Sequence, residues 1–248
     1  MNRLYQLLAD NRKNTSRRFE IVAEEGADEA EVFLYDAIVS DEIEAEYWGG
    51  VAAAPFVKAL RGIKSQTIHL RINSPGGSIF AARAIEQALR EHPARVVAHV
   101  DGLAASAASF ILMAADEIVM SQGAMVMIHK GWTFTMGNAD DMRRTTDLLD
   151  KLDGTLAKTY ADRTKQSAED IMKWMAAETW MDAEEAVSLG FADRIADNAP
   201  DAKAASLWDL RAFLKAPKPE QPEQPEPDNQ HRERQQQRIG LLARAPIR

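Results

Sequence analysis

Three short segments of this 248-residue chain place groups capable of chemistry at the ends of apolar runs. INSPGGS at 72–78 closes a β-rich run on two adjacent glycines, Gly76 and Gly77, which permit positive φ and leave backbone N–H groups free to face a ligand. Such amides bind an anion or oxyanion; the same Pro-Gly-Gly also serves as ordinary strand-to-helix punctuation. GLAASAASF at 102–110 sets Ser106 among alanines at the predicted start of an apolar helix. Small neighbours admit a substrate backbone there, and the Ala107 amide with the helix dipole would face a developing negative charge. Ser106 and Ser109 fit equally well as small packing residues in a tight helix crossing. MVMIHK at 125–130 ends a β-run on His129, where an imidazole can act as a base toward a nearby helix N-terminus. His69, His92 and His99 are comparable candidates by position, and His231 lies near the end of the chain.

These segments need a scaffold that brings them together. Strand-like runs at 30–39, 66–73, 95–102 and 124–130 alternate with helix-like stretches at 42–60, 78–92, 104–117 and 139–163. Repeated strand–helix–strand units predict an α/β fold with a largely parallel sheet. Ser78 is placed to cap the 78–92 helix, whose Ile79, Ala82, Ile85 and Leu89 recur at helical spacing. Ser167 with Asp170, and Asp182 with Glu185, have capping-box spacing, and Gly190 is positioned to close the second of these helices.

Composition removes several classes of function. Zero cysteines exclude disulfides, thiolate nucleophiles and Cys-ligated zinc, and no metal-ligand spacing such as H-E-x-x-H occurs, so no metal or other cofactor is expected. A balance of 30 Lys+Arg against 38 Asp+Glu, net −8, argues against a nucleic-acid-binding body. Neither a membrane span nor a secretory signal is recognisable, and a cytoplasmic location is expected. Residues 217–227, PKPEQPEQPEP, hold five of the ten prolines and read as a solvated linker. Beyond it, residues 228–248 carry five Arg against Asp228 and Glu233, a basic tail expected to be disordered.

Taken together and in this order, INSPGG before a helix, G-L-A-A-S at Ser106 and V-M-I-H at His129 resemble the proteolytic subunit of the Clp protease, the ClpP family of serine peptidases. The resemblance runs from about Glu31 to Ile195 and includes E-E-A-V-S-L-G-F-A-D at 184–193; it does not reach 197–248. It implies the ClpP/crotonase-like repeated ββα superhelix with a projecting helical handle over Asn138 to Met175, and a protease domain over 18–196, with 1–17 preceding it and 197–216 connecting it to the linker. It assigns Ser106 as nucleophile, His129 as general base, and the amides of Gly77 and Ala107 as the oxyanion hole. The third triad position, an aspartate in the typical family member, falls on Glu178. Asp182 is the competing carboxylate, but it has the N-cap role already noted. Lys130, next to His129 on a strand, faces the opposite side.

The resemblance further implies a polypeptide substrate and a ring-forming homo-oligomer. An ATPase unfoldase partner would supply ATP hydrolysis, since no Walker A loop is present. D-E-I-E-A-E-Y-W-G-G-V-A-A-A-P-F at 41–56, together with the linker and basic tail, is similar to phage and prophage head maturation proteases. That setting implies capsid or scaffold protein as substrate and the host cytoplasm as location. A catalytically silent assembly protein on the same fold is the competing reading, motivated by the substituted acid position.

Overall fold

The computed structural model describes residues 3–12, 18–22, 26–197 and 208–217. In chain order the elements are α1 (Arg3–Asn11), β1 (Arg18–Val22), β2 (Glu29–Tyr35), β3 (Ile38–Val39), α2 (Glu42–Trp48), β4 (Val51–Ala52), α3 (Ala53–Gly62), β5 (Thr67–Ser74) and α4 (Ile79–Arg90). They continue as β6 (Arg95–Ala105), α5 (Ala107–Leu112), β7 (Glu117–Met120), β8 (Met125–Ile128), α6 (Ala139–Thr164), α7 (Ala168–Ala177), β9 (Thr179–Met181), α8 (Ala183–Leu189) and β10 (Arg194–Ile195). Among the described residues the main sheet has eight strands in the order β1-β2-β5-β6-β7-β10, with β8 joining β6 and β9 joining β8. Every pairing in it is parallel except β1 with β2 and β8 with β9.

The forked pairing of β6 organises one end of the sheet. Val97 to Val100 pair with β7, whereas Leu103 to Ala105 pair with β8, so one strand changes partner partway along its length. Side chains alternate across its second half, as the period-2 geometry of a strand requires. Ala104, Val126, Ile128 and Met181 join the main core with Ile72, Phe110 and Tyr160. Leu103, Ala105 and Met127 face the other way and are covered by Leu7 of α1 and by Trp208, Leu210, Ala212 and Phe213. The described part of the 197–216 connecting segment thus packs against β6, β8 and α1. The 217–227 linker beyond Pro217 and the 228–248 tail lie outside the described residues.

Two predicted helices are shorter than their patterns suggested. The 42–60 stretch breaks at Gly49 and Gly50, both at positive φ, and β4 pairs with β3 before α3 begins. The 104–117 stretch loses Ala104 and Ala105 to the β6–β8 pairing, which overrides the helix preference of alanine. It ends at Leu112, and the unpredicted β7 starts at Glu117. The strands β1, β9 and β10 were also not expected; the last two are three and two residues long. The handle is α6, 26 residues long, whose buried residues (Asp153, Leu156, Ala157, Tyr160, Thr164) all lie in its second half.

Gly77 makes the tightest approach in the loop after β5. Its φ is 147°, and a Cβ there would lie 1.9 Å from the Ile38 carbonyl oxygen. Hydrogen bonds from Ile38 N–H to the Gly76 carbonyl (2.8 Å) and from Ser78 N–H to the Ile38 carbonyl (2.8 Å) straddle it. Gly77→Ala is therefore expected to cost about 3 kcal/mol or more of stability, read from chemical denaturation, because strain and a backbone clash coincide.

Candidate active site

Ser106 follows β6 directly and turns the chain into α5 at φ 53°, ψ −121°. A non-glycine residue adopts such a backbone at a cost of about 1–3 kcal/mol, so the surroundings must hold it. Ser106 N–H donates to the Met127 carbonyl at 2.8 Å. The Ser109 hydroxyl donates to the Ser106 carbonyl at 2.7 Å and itself lies 2.9 Å from the Tyr160 hydroxyl, which must then be the donor in that pair. Ser109, left as a packing residue by its sequence context, thus braces the turn.

Strand register decides what meets Ser106. The parallel pairing of Ala105 with Met127 carries on to set Ser106 beside Ile128, with His129 next. The Ser106 Oγ and His129 Nε2 are 2.7 Å apart. On the other edge of β8, the antiparallel pairing of Ile128 with Thr179 places Glu178 opposite His129. The same register, counted from Val126 with Met181, puts Asp182 level with Met125 at the far end of the strand. Asp182 instead caps α8, accepting from Glu185 N–H at 2.8 Å while the Glu185 carboxylate accepts from its own N–H.

The environment of the imidazole is apolar. Trp132 and Phe213 meet it edge to face, with ring centroids 4.8 and 5.7 Å away. Burial pushes the His129 pKa down to about 4; Glu178 opposes the shift and Arg3 reinforces it. Neutral His129 can accept the Ser106 proton at Nε2, which gives a serine oxygen able to attack a carbonyl.

Glu178 is 8% exposed and sits at φ 51° where α7 ends. Its carboxylate accepts from the Trp180 indole N–H (3.3 Å), from Leu214 N–H (3.0 Å) and from Lys215 N–H (2.5 Å). None of its hydrogen bonds reaches His129, so the structure joins Ser106 to His129 and holds Glu178 beside the pair rather than in a closed chain.

Gly77 and Ala107 line, with Ser106 and His129, a cavity of about 180 Å³. Neither N–H has a hydrogen-bond partner among the described residues. Gly76 packs so tightly beneath them that a Cβ would lie 2.9 Å from Ala107 N and 2.5 Å from the Ala105 carbonyl. Among the described residues the other histidines have partners elsewhere, and His231 lies outside the described residues. His69 Nδ1 and His99 Nε2 are 3.0 Å apart on the sheet, beside the Arg71–Asp101 ion pair, and His92 accepts from Ala94 N–H. Among the described residues no cluster of three His, Cys, Asp or Glu could hold a metal ion, and no helix is long and apolar enough to cross a membrane.

The Clp protease family model matches residues 22–199. The chain is 32% identical over 134 residues to the ATP-dependent Clp protease proteolytic subunit of Deinococcus radiodurans, covering 53% of this chain and 66% of that one. It is 32% identical over 171 residues to proteolytic subunit 2 of a Synechococcus species, covering 68% and 84%. Subunit 3 of Streptomyces coelicolor is 32% identical over 141 residues, covering 56% and 65%.

The two carboxylates separate by experiment. Asp182→Ala is expected to lower stability by about 0.5–2 kcal/mol in urea denaturation, as for any lost N-cap. In the same variant the chemical shifts of the His129 ring should stay unchanged, because the Asp182 side chain serves the α8 cap four residues away along the β8–β9 register.

Proposed function

The chain belongs to the Clp protease family of serine peptidases, and we propose that it cuts peptide bonds with Ser106 as nucleophile, His129 as general base and Glu178 as the acid that steadies the imidazolium. The observation that carries this reading is the 2.7 Å contact between Ser106 Oγ and His129 Nε2 on a strained turn facing two unpaired amides. Ser106 Oγ attacks the peptide carbonyl as His129 takes its proton, and the Gly77 and Ala107 amides receive the oxyanion. His129 then protonates the leaving amine, leaving an acyl-enzyme. Water activated by the same imidazole releases the acid. Ile79, Phe80, Leu148, Leu149 and Leu152 line the adjoining cavity, which suits an apolar substrate side chain next to the cut bond.

Within this class we favour a head maturation protease acting on capsid or scaffold protein, supported by the 41–56 segment and by the proline-rich and basic extension after the family match. The relatives, called ATP-dependent proteolytic subunits, favour a second reading: a proteolytic subunit fed by an ATPase unfoldase. Degradation of a stably folded protein only with such an ATPase present would select the second. A ring-forming homo-oligomer is proposed under either, supported by exposed Met142 and Leu148 on α6 and exposed Phe134 and Met136 before it.

A fluorophosphonate probe is expected to label the full chain at Ser106 and not to label Ser106→Ala; an unlabelled assembled sample would overturn the peptidase reading in favour of a silent assembly protein. Glu178→Gln should lower kcat by about 10²–10⁴ while leaving KM nearly unchanged, since the acid acts on the imidazolium of the transition state. The base must be neutral to work, and burial extends its neutral range downward. The acid limb of the kcat/KM profile is therefore expected near the His129 value of about 4 rather than near the ordinary imidazole value, about 6.5.

A further inference from the structure

Residues 208–216 lie beyond the 22–199 family match, yet they touch Asn73, His129 and Glu178. The Trp208 indole N–H donates to the Asn73 side chain at 2.9 Å, at the root of the loop that carries Gly77. Asp209 is fastened to α1 by a reciprocal pair, its N–H to Asn11 Oδ1 (2.7 Å) and its carbonyl accepting from Asn11 Nδ2 (2.9 Å). Phe213, 5% exposed, stacks on Trp132 at 5.3 Å and meets the edges of both Trp180 and His129. The next two backbone amides then hold the Glu178 carboxylate, and Lys215 Nζ donates to the Ala177 carbonyl at the end of α7.

We propose that this segment is a built-in part of the catalytic centre: Phe213 positions His129, and the Leu214 and Lys215 amides position Glu178. The proposal rests on the peptidase reading above. Two observations favour positioning over blockage. No residue of 208–216 lines the cavity beside Ser106, so the segment backs the imidazole and does not cover the substrate side. A carboxylate offers about four acceptor sites, and the three donors it holds leave one for the His129 Nδ1 proton. The amides thus fix where the negative charge sits while keeping it available when the imidazolium forms. The charged groups acting on His129 are Glu178, at the end of α7, and Arg3 of α1, which lies over the Trp132 ring at 5.1 Å.

The test compares the full chain with a chain ending at Ala216, a chain ending at Leu207, and Phe213→Ala in the full chain. Hydrolysis of a fluorogenic peptide with an apolar residue before the cut bond gives kcat and KM. NMR titration of the His129 ring in a Ser106→Ala background gives a readout independent of activity. Ending at Ala216 should leave kcat unchanged. Ending at Leu207 and Phe213→Ala should each lower kcat about tenfold or more with KM changed far less, the split expected when a group acts on the reacting residues rather than on binding. In the Ser106→Ala background, Phe213→Ala should raise the His129 midpoint toward the ordinary imidazole value as the ring becomes wetter. If the Leu207 truncation does not fold, Phe213→Ala carries both readouts. Unchanged kcat with an unchanged His129 midpoint in Phe213→Ala would overturn the proposal, and so would a rise in kcat on truncation, which would make the segment a lid. Were the full chain inactive, the peptidase reading would fail, while the His129 titration would still decide whether the segment governs the imidazole.

Discussion

The hydrogen bond from Ser106 N–H to the Met127 carbonyl is the contact on which the site depends. It belongs to the last rung between β6 and β8, and it holds a residue whose φ of 53° no isolated serine would keep. Without that rung the turn relaxes, the Oγ leaves the imidazole, and Ala107 N–H no longer faces the cavity. The rung exists because β6 abandons β7 after Val100 and takes up β8 at Leu103. A strand that stayed with one partner would carry Ser106 past β7 and away from His129.

That change of partner creates a packing requirement on both faces of the strand. The inner face is met by the main core, into which Ala104, Val126 and Ile128 are completely buried. The outer face needs a separate cover for Leu103, Ala105 and Met127, and α1 with residues 208–213 provide it. Covering the outer face also dries the imidazole, since Trp132 and Phe213 belong to the same layer. One burial event thus stabilises the β6–β8 pair and sets the proton affinity of His129. Stability and the proton affinity of His129 are coupled through shared apolar surface.

Much of this was legible because it is local. The Gly-Gly turn, the apolar run ending on His129 and the caps at Ser78, Ser167 and Asp182 are written in a few adjacent residues, and each stands where its pattern put it. The break at Gly49–Gly50 was also present in the letters, but the apolar spacing on both sides masked it. Ala104 and Ala105 could not be read as strand, because alanine favours helix and only the distant β8 makes them extended. The separation of Glu178 from Asp182 likewise depends on the antiparallel register of β8 with β9, which a three-residue strand scarcely signals. Trp208, Leu210, Ala212 and Phe213 formed an apolar cluster just before the prolines, yet nothing near them says which surface they cover.

The length of the Glu178 side chain fits the donors around it. Its backbone closes α7 in a left-handed conformation, and Trp180, Leu214 and Lys215 donate to its carboxylate. A side chain shorter by one methylene, starting from the same backbone, would have to choose between those donors and the imidazole. The glutamate reaches the amides and remains within electrostatic range of His129, whose proton affinity it raises against the effect of burial. On the proposed assignment of Glu178 as the acid, the added methylene and the 208–216 segment act together, because the longer side chain is useful only where something fixes its end. A buried carboxylate without those donors would carry a desolvation cost that no contact repaid.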